Sequence, residues 1–175
     1  TLNDTQRLLR QEDLKQAVDL INTSDRLFFF GVGGSEIVAT DAYHKFLRSP
    51  ISVFHSTDYH IQLMEASLLT PTDCAILISH TGKSKETIRL AETVKATGAK
   101  AIVVTSQANS PLAKLGDVVF ISIAEETEFR SEALASRISQ LSIMDSLYVI
   151  LMFYNQEKAR DSISKVRRVI ARSKQ

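Results

Sequence analysis

Between Ile78 and Thr87 the chain reads Ser79-His80-Thr81-Gly82-Lys83-Ser84-Lys85-Glu86-Thr87, which gathers four hydroxyl side chains around one glycine. That is chemistry for holding a phosphate. The preceding Cys74-Ala-Ile-Leu-Ile-Ser79 is a continuous apolar run, the pattern of a strand buried on both faces, and apolar residues at Ile88, Ala91 and Val94 then carry a helical period. The first N–H groups of a helix starting at the motif have no intrahelical partner, and the helix dipole adds partial positive charge there. A dianion is held by such donors, here with the Ser79, Thr81 and Ser84 hydroxyls added, and glycine at 82 lets the backbone come close to it. The plainer alternative is a strand-to-helix turn in which Ser84 only caps the helix.

Two nucleotide-binding patterns fail on single residues. Gly82-Lys83-Ser84 reproduces the second half of a G-x-x-x-x-G-K-[ST] loop, but the first glycine would fall at Leu77, inside the strand. Arg26-Leu-Phe-Phe-Phe-Gly31-Val-Gly33-Gly34-Ser35 is a second apolar strand running into a Gly-rich turn, followed by a helix with Val38, Ala42 and Phe46 four residues apart. A G-x-G-x-x-G fingerprint needs glycine at 36, where Glu36 stands and would put a carboxylate near a pyrophosphate. What remains is a second strand-turn-helix that offers backbone N–H groups and the Ser35 hydroxyl at the same end of a sheet. No metal site is expected, because Cys74 is the only cysteine and His44, His55, His60 and His80 lack ligand spacing. No cofactor is implied.

Length and composition fit a single domain over residues 1–175, with 44% hydrophobic content and a net charge of +1 that gives no bulk attraction to nucleic acid or membrane. No apolar stretch reaches membrane-spanning length, and Thr1-Leu-Asn-Asp has neither the basic nor the apolar region of a signal peptide, so a cytoplasmic location is expected.

Glycine and proline punctuate the rest. Pro50 and Pro71 precede apolar runs, Gly98 stands where a helix C-cap would, and Pro111 and Gly116 bracket a short helix. This spacing predicts a leading helix near 10–22 and strands near 27–32, 51–54, 74–79, 101–105 and 118–122, with helices between them. Uninterrupted runs such as Ala101-Ile-Val-Val-Thr105 suit a parallel sheet covered on both sides, and right-handed crossovers then give an α/β, three-layer doubly wound sandwich with a five-stranded parallel sheet. Ligands of such sheets sit at the carboxyl ends of the strands, where both motifs lie. A last long helix near Ser131–Tyr154 is apolar nearly all round, including Leu134, Ile138, Leu141, Ile143, Met144, Leu147, Tyr148, Ile150, Leu151 and Phe153. It is read as packing against a second subunit rather than lying deep in one. The basic segment Lys158 to Lys174, with Ile163, Val166 and Ile170 on one face, reads as a solvated amphipathic helix rather than a nucleic-acid arm.

These residues resemble the sugar isomerase (SIS) domain, a flavodoxin-like phosphosugar-binding fold, and more closely the effector domain of RpiR-type bacterial transcription regulators. The resemblance spans nearly the whole chain. It rests on Gly31-Val-Gly33-Gly34-Ser35, Asp58-Tyr-His60-Ile-Gln62, Ser79-His-Thr81-Gly82-Lys-Ser84, Ser110-Pro-Leu-Ala113 and Ser136-Arg137-Ile-Ser-Gln140-Leu…Asp145. It implies a phosphate site of Ser79, Thr81, Gly82 and Ser84, and a sugar site of Gly33, Gly34, Ser35, His60, Glu132 and Arg137. By the residues alone, His60 has the alternative of a helix-surface histidine, and Glu132 and Arg137 that of an ion pair of little energetic weight.

The implied function is a non-catalytic sensor of a hexose or amino-sugar 6-phosphate. It is expected to be a homodimer or higher homo-oligomer that reaches DNA only through a helix-turn-helix domain these residues do not contain, and to have no membrane partner. The alternative is an aldose–ketose phosphate isomerase, which needs a carboxylate base and an acid. Glu125, Glu126, Glu128 and Glu132 are available, but no convincing acid and base set is visible.

Overall fold

The computed structural model describes residues 5, 7, 9–123 and 132–173, with the backbone alone for 132–135. In chain order the elements are α1 (Gln11–Asn22), β1 (Arg26–Gly31), α2 (Gly34–Phe46), β2 (Ser52–His55), α3 (Tyr59–Ser67), β3 (Cys74–Ile78), α4 (Lys85–Ala96) and β4 (Lys100–Thr105). A 3-10 turn at Ala113–Leu115, β5 (Val118–Ile121), α5 (Glu132–Tyr154) and α6 (Gln156–Arg172) complete them. Each strand falls within a residue of the position that the apolar runs predict.

All strand pairs are parallel, in the order β2-β1-β3-β4-β5. This is the flavodoxin-like order, whose switch point lies between β1 and β3. Alternation along the strands splits the core in two. Leu27, Phe29, Ile76, Ile78, Ile102 and Val104 pack with Val38, Ala42 and Phe46 of α2, Val18 and Ile21 of α1, and Met144, Leu147 and Leu151 of α5. Phe28, Phe30, Ala75, Leu77, Ala101 and Val103 pack on the other face with Ala66 of α3 and Leu90, Ala91 and Val94 of α4. Strands buried on both faces need no polar alternation, which is why they read as unbroken apolar runs. Each fully buried Leu, Ile or Phe contributes about 1.5–3 kcal/mol relative to exposure.

Helix α5 divides its apolar residues between two surroundings. Ile143, Met144, Leu147 and Leu151 are buried against the sheet, while Ile138, Val149 and Phe153 are exposed. Both faces of the helix are therefore apolar, and among the described residues only one is covered. The expected start at Ser131 and the side chain of Leu134 lie outside the described residues. In α6 only Ala159 is buried, Ile163 and Val166 are half-buried, and Ile170 is exposed, as a solvated amphipathic helix requires. No helix among the described residues is long and apolar enough to cross a membrane.

Candidate functional site

The hydroxyl-rich loop leaves the end of β3 with its backbone pinned. Ser79 N–H donates to Val104 O at 3.0 Å and so extends the ladder by one residue. His80 O accepts from Ser106 N (2.8 Å), Ser106 Oγ (2.7 Å) and Thr105 Oγ1 (3.1 Å), which fastens the loop to the end of β4. Thr81 Oγ1 accepts from Lys83 N at 3.2 Å. Gly82 has φ +62°, and its carbonyl accepts from Leu112 N at 3.2 Å. Ser84 is the N-cap of α4: its Oγ accepts from Thr87 N at 3.4 Å and donates to Glu86 Oε2 at 2.9 Å. Hydrogen bonds from its own N–H and from Ser84 hold the Glu86 carboxyl below its ordinary value. A carboxylate of the chain thus already occupies the Ser84 hydroxyl.

Across the switch point, Gly33 is the N-cap position of α2, and Ser35 stands in that helix's first turn. Arg137 reaches this turn from α5: its Nη2 lies 3.9 Å from where a Cβ on Gly34 would be. Ser136 and Gln140, one helical turn apart on α5, are both buried. Gly34, Ser35, Ser79, His80, Thr81, Ser136, Arg137 and Gln140 enclose a cavity of about 270 Å³. Three of the residues that line it carry side-chain nitrogens without partners among the described residues. His80 Nδ1, Arg137 Nε and Gln140 Nε2 are each buried and form no hydrogen bond. Buried polar groups are ordinarily satisfied, and leaving one unpaired costs about 1–3 kcal/mol. Three such groups around one polar cavity mark a place for an oxygen-rich molecule.

Of the residues expected at the phosphate, Ser79 and Thr81 line the cavity, while Gly82 shapes the loop and Ser84 serves as a helix cap beside it. Of those expected at the sugar, Gly34, Ser35 and Arg137 line it and Gly33 immediately precedes them. His60 does not: it is exposed on the first turn of α3, with its ring 5.5 Å from that of Tyr59. Glu125, Glu126 and Glu128 lie outside the described residues, as does the side chain of Glu132. Glu36 is turned toward β2, where its Oε1 is 3.2 Å from His55 Nε2 and 2.5 Å from Thr40 Oγ1. His80, Ser136 and Gln140 carry no site role in the sequence reading. The available signal is a polar pair at i and i+4, Ser136 and Gln140, in a mainly apolar helix, where a polar group that becomes buried needs a partner. Among the described residues no cluster of His, Cys, Asp or Glu could hold a metal ion.

The fold and cavity define an α/β domain with a polar cavity at the carboxyl edge of its sheet. The chain belongs to the SIS domain family, whose model matches residues 20–172. It is 30% identical over 170 residues to the HTH-type transcriptional regulator RpiR of Escherichia coli K12, covering 97% of this chain and 57% of that regulator. The chain thus spans a little over half the length of this relative. It superposes on the structure of Vibrio vulnificus NanR complexed with ManNAc-6P with a TM-score of 0.89 at 25% identity, covering 97% of this chain and 64% of NanR. It also matches a putative sugar-phosphate isomerase from Listeria monocytogenes, with a TM-score of 0.78 at 26% identity over 89% of this chain and 83% of the isomerase.

Proposed function

We propose that this chain is the phosphosugar-sensing domain of an RpiR-type transcription regulator and that it binds its effector without transforming it. The observation that carries this reading is the cavity between Ser35 and Ser79, where the unpaired donors of Arg137 and Gln140 stand beside a loop built to hold a phosphate. Ser79, Thr81 and the N-terminus of α4 take the phosphate, with Gly82 shaping the loop and Ser84 released from Glu86 to join them. Gly33, Gly34, Ser35 and Arg137 face the sugar, and His60, exposed on α3, takes no part in this reading. RpiR and NanR support the regulator assignment, and the ManNAc-6P held by NanR supports a sugar phosphate as ligand. On this reading DNA is contacted by a part of the protein outside these residues, and the protein works in the cytoplasm.

A thermal-shift panel of hexose 6-phosphates, N-acetylhexosamine 6-phosphates and pentose 5-phosphates tests it. A ligand at 100 times its Kd stabilises the native state by about 2.7 kcal/mol. That amounts to a rise of about 5–10 °C in a domain of this size. Absence of a shift with every sugar phosphate would end the proposal.

The Listeria likeness supports a second reading, an isomerase. Proton transfer between C1 and C2 needs a base within hydrogen-bond reach, and no carboxylate lines the cavity among the described residues. Conversion of an aldose phosphate to the ketose phosphate by the purified chain, followed by proton NMR, would establish the isomerase in place of the sensor.

A further inference from the structure

At the carboxyl end of β1 the sheet loses a strand on one side. The β1–β2 pairing stops at Phe29↔His55, whereas β1–β3 pairing continues to Gly31↔Ile78. The N–H and C=O of Gly31 that face the β2 side have no ladder partner, and Gly31 is buried. Gln62 of α3, itself 0% exposed, takes the place of the missing peptide group. Its Oε1 accepts from Gly31 N at 3.2 Å, and its Nε2 donates to Gly31 O at 2.9 Å and to Ser56 O at 2.8 Å. Both N–H groups and the carbonyl of the amide are engaged, and no other side chain offers that set at that length.

Gly31 is in turn pressed against the first turn of α2. A Cβ on it would stand 2.7 Å from Ser35 O and 2.9 Å from Ser35 C, so the two backbone segments lie too close for any side chain between them, and the position of one bears on the other. Ser35 lines the cavity. The hydroxyl-rich loop is held by other means, through Thr105, Ser106 and Leu112. Beyond the shared β1–β3 ladder, the two halves of the site are therefore held by different hydrogen bonds.

On the sugar-phosphate reading of the cavity, we infer that Gln62, which lines no part of it, is the positioning residue for the sugar half of the site. It fixes the Gly31–Ser35 turn relative to the phosphate loop, and so governs affinity for phosphorylated sugars but not for phosphate itself.

The test compares wild type, Gln62→Met and Ala66→Gly. The methionine keeps the length of glutamine without its hydrogen bonds, and Ala66→Gly weakens the same helix without touching Gly31. Calorimetry uses two probes: inorganic phosphate, and the sugar phosphate that wild type binds most tightly in the panel above. Amide hydrogen exchange is followed over 31–36 and 79–84 in the absence of either probe. Gln62→Met is expected to lose about tenfold or more in sugar-phosphate affinity, to keep its phosphate affinity within twofold, and to speed exchange at 31–36 but not at 79–84. Ala66→Gly should lower the melting temperature without changing the ratio of the two affinities. Equal loss for both probes in Gln62→Met, or unchanged sugar-phosphate affinity, overturns the inference. If wild type binds neither probe, the sugar-phosphate reading falls, and the exchange result alone decides whether Gln62 holds the turn.

Discussion

Gly82 and Ser110 share a space that has no room for a side chain on the first: a Cβ on Gly82 would lie 2.2 Å from Ser110 Oγ and 2.6 Å from its Cβ. Thr105 Oγ1 would be 2.8 Å away. Ser110 is itself fixed, since its Oγ accepts from Ala113 N at 3.2 Å. The loop that is read as a phosphate cradle therefore rests on the segment between β4 and β5, and the glycine is required both by its φ of +62° and by this contact.

Gly82→Ala is predicted to cost about 1–3 kcal/mol of stability, because the residue carries left-handed backbone strain and an overlap at once. It should also abolish measurable sugar-phosphate binding at millimolar concentration. Urea unfolding and calorimetry check the two halves, and an alanine variant as stable as wild type would refute the geometry.

Ser79 and Ser84 should separate in their effects. Ser84→Ala removes the α4 cap and is expected to lower stability by about 1 kcal/mol. Ser79 has no such duty in the helix. Ser79→Ala should weaken binding roughly tenfold, the loss of one hydrogen bond to a charged group, with little change in melting temperature. Two variants that both bind like wild type would place the phosphate elsewhere.

The acid limb of stability should depend on Asp73. Burial opposes ionisation of this carboxyl, but hydrogen bonds from Arg26 and from the Thr70 N–H and hydroxyl outweigh it and hold the group below its ordinary value. Asp117 is shifted the same way: burial is outweighed by the Ala101 N–H and by Lys95. An unfolded Asp titrates near pH 4. Because the folded value is lower, the stabilisation is fully present above about pH 4 and is lost as pH falls through the folded value. Asp73→Asn is expected to cost on the order of 2 kcal/mol at pH 7, discounted for the partial exposure of Arg26. The gap from wild type should narrow progressively below pH 4. A gap that is constant from pH 7 to pH 3 in urea titrations would contradict this.

Self-association should run through the uncovered face of α5. Ile138, Val149 and Phe153 are 56%, 47% and 70% exposed, an apolar surface of the kind that soluble proteins cover with a partner. Light scattering is expected to show a dimer at micromolar concentration, and the double variant Val149→Ser, Phe153→Ser a monomer. A monomeric wild type removes this expectation.

Short-range features of the chain were legible without coordinates. Strands buried on both faces by helices have no polar alternation, so β1, β3 and β4 announce themselves as apolar runs ending in Gly31, Ser79 and Thr105. The turns after β1 and β3 are written in adjacent glycines and hydroxyls, so the two strand ends that frame the cavity could be placed from the sequence. Residue types alone left open whether Ser84 caps a helix or waits for a phosphate, and the geometry shows it capping α4 and bonded to Glu86. The rest depends on contacts between residues far apart in sequence. Gln140 and Ser136 become part of a cavity only because α5 crosses the switch point, and Arg137 meets Gly34 over a separation of about a hundred residues. His60 and Gln62 stand two positions apart on α3, so helix geometry points them in different directions, one to solvent and one to Gly31. Nothing local distinguishes them, because the deciding fact is that β2 ends two residues before β1 and leaves a peptide group for a side chain to satisfy.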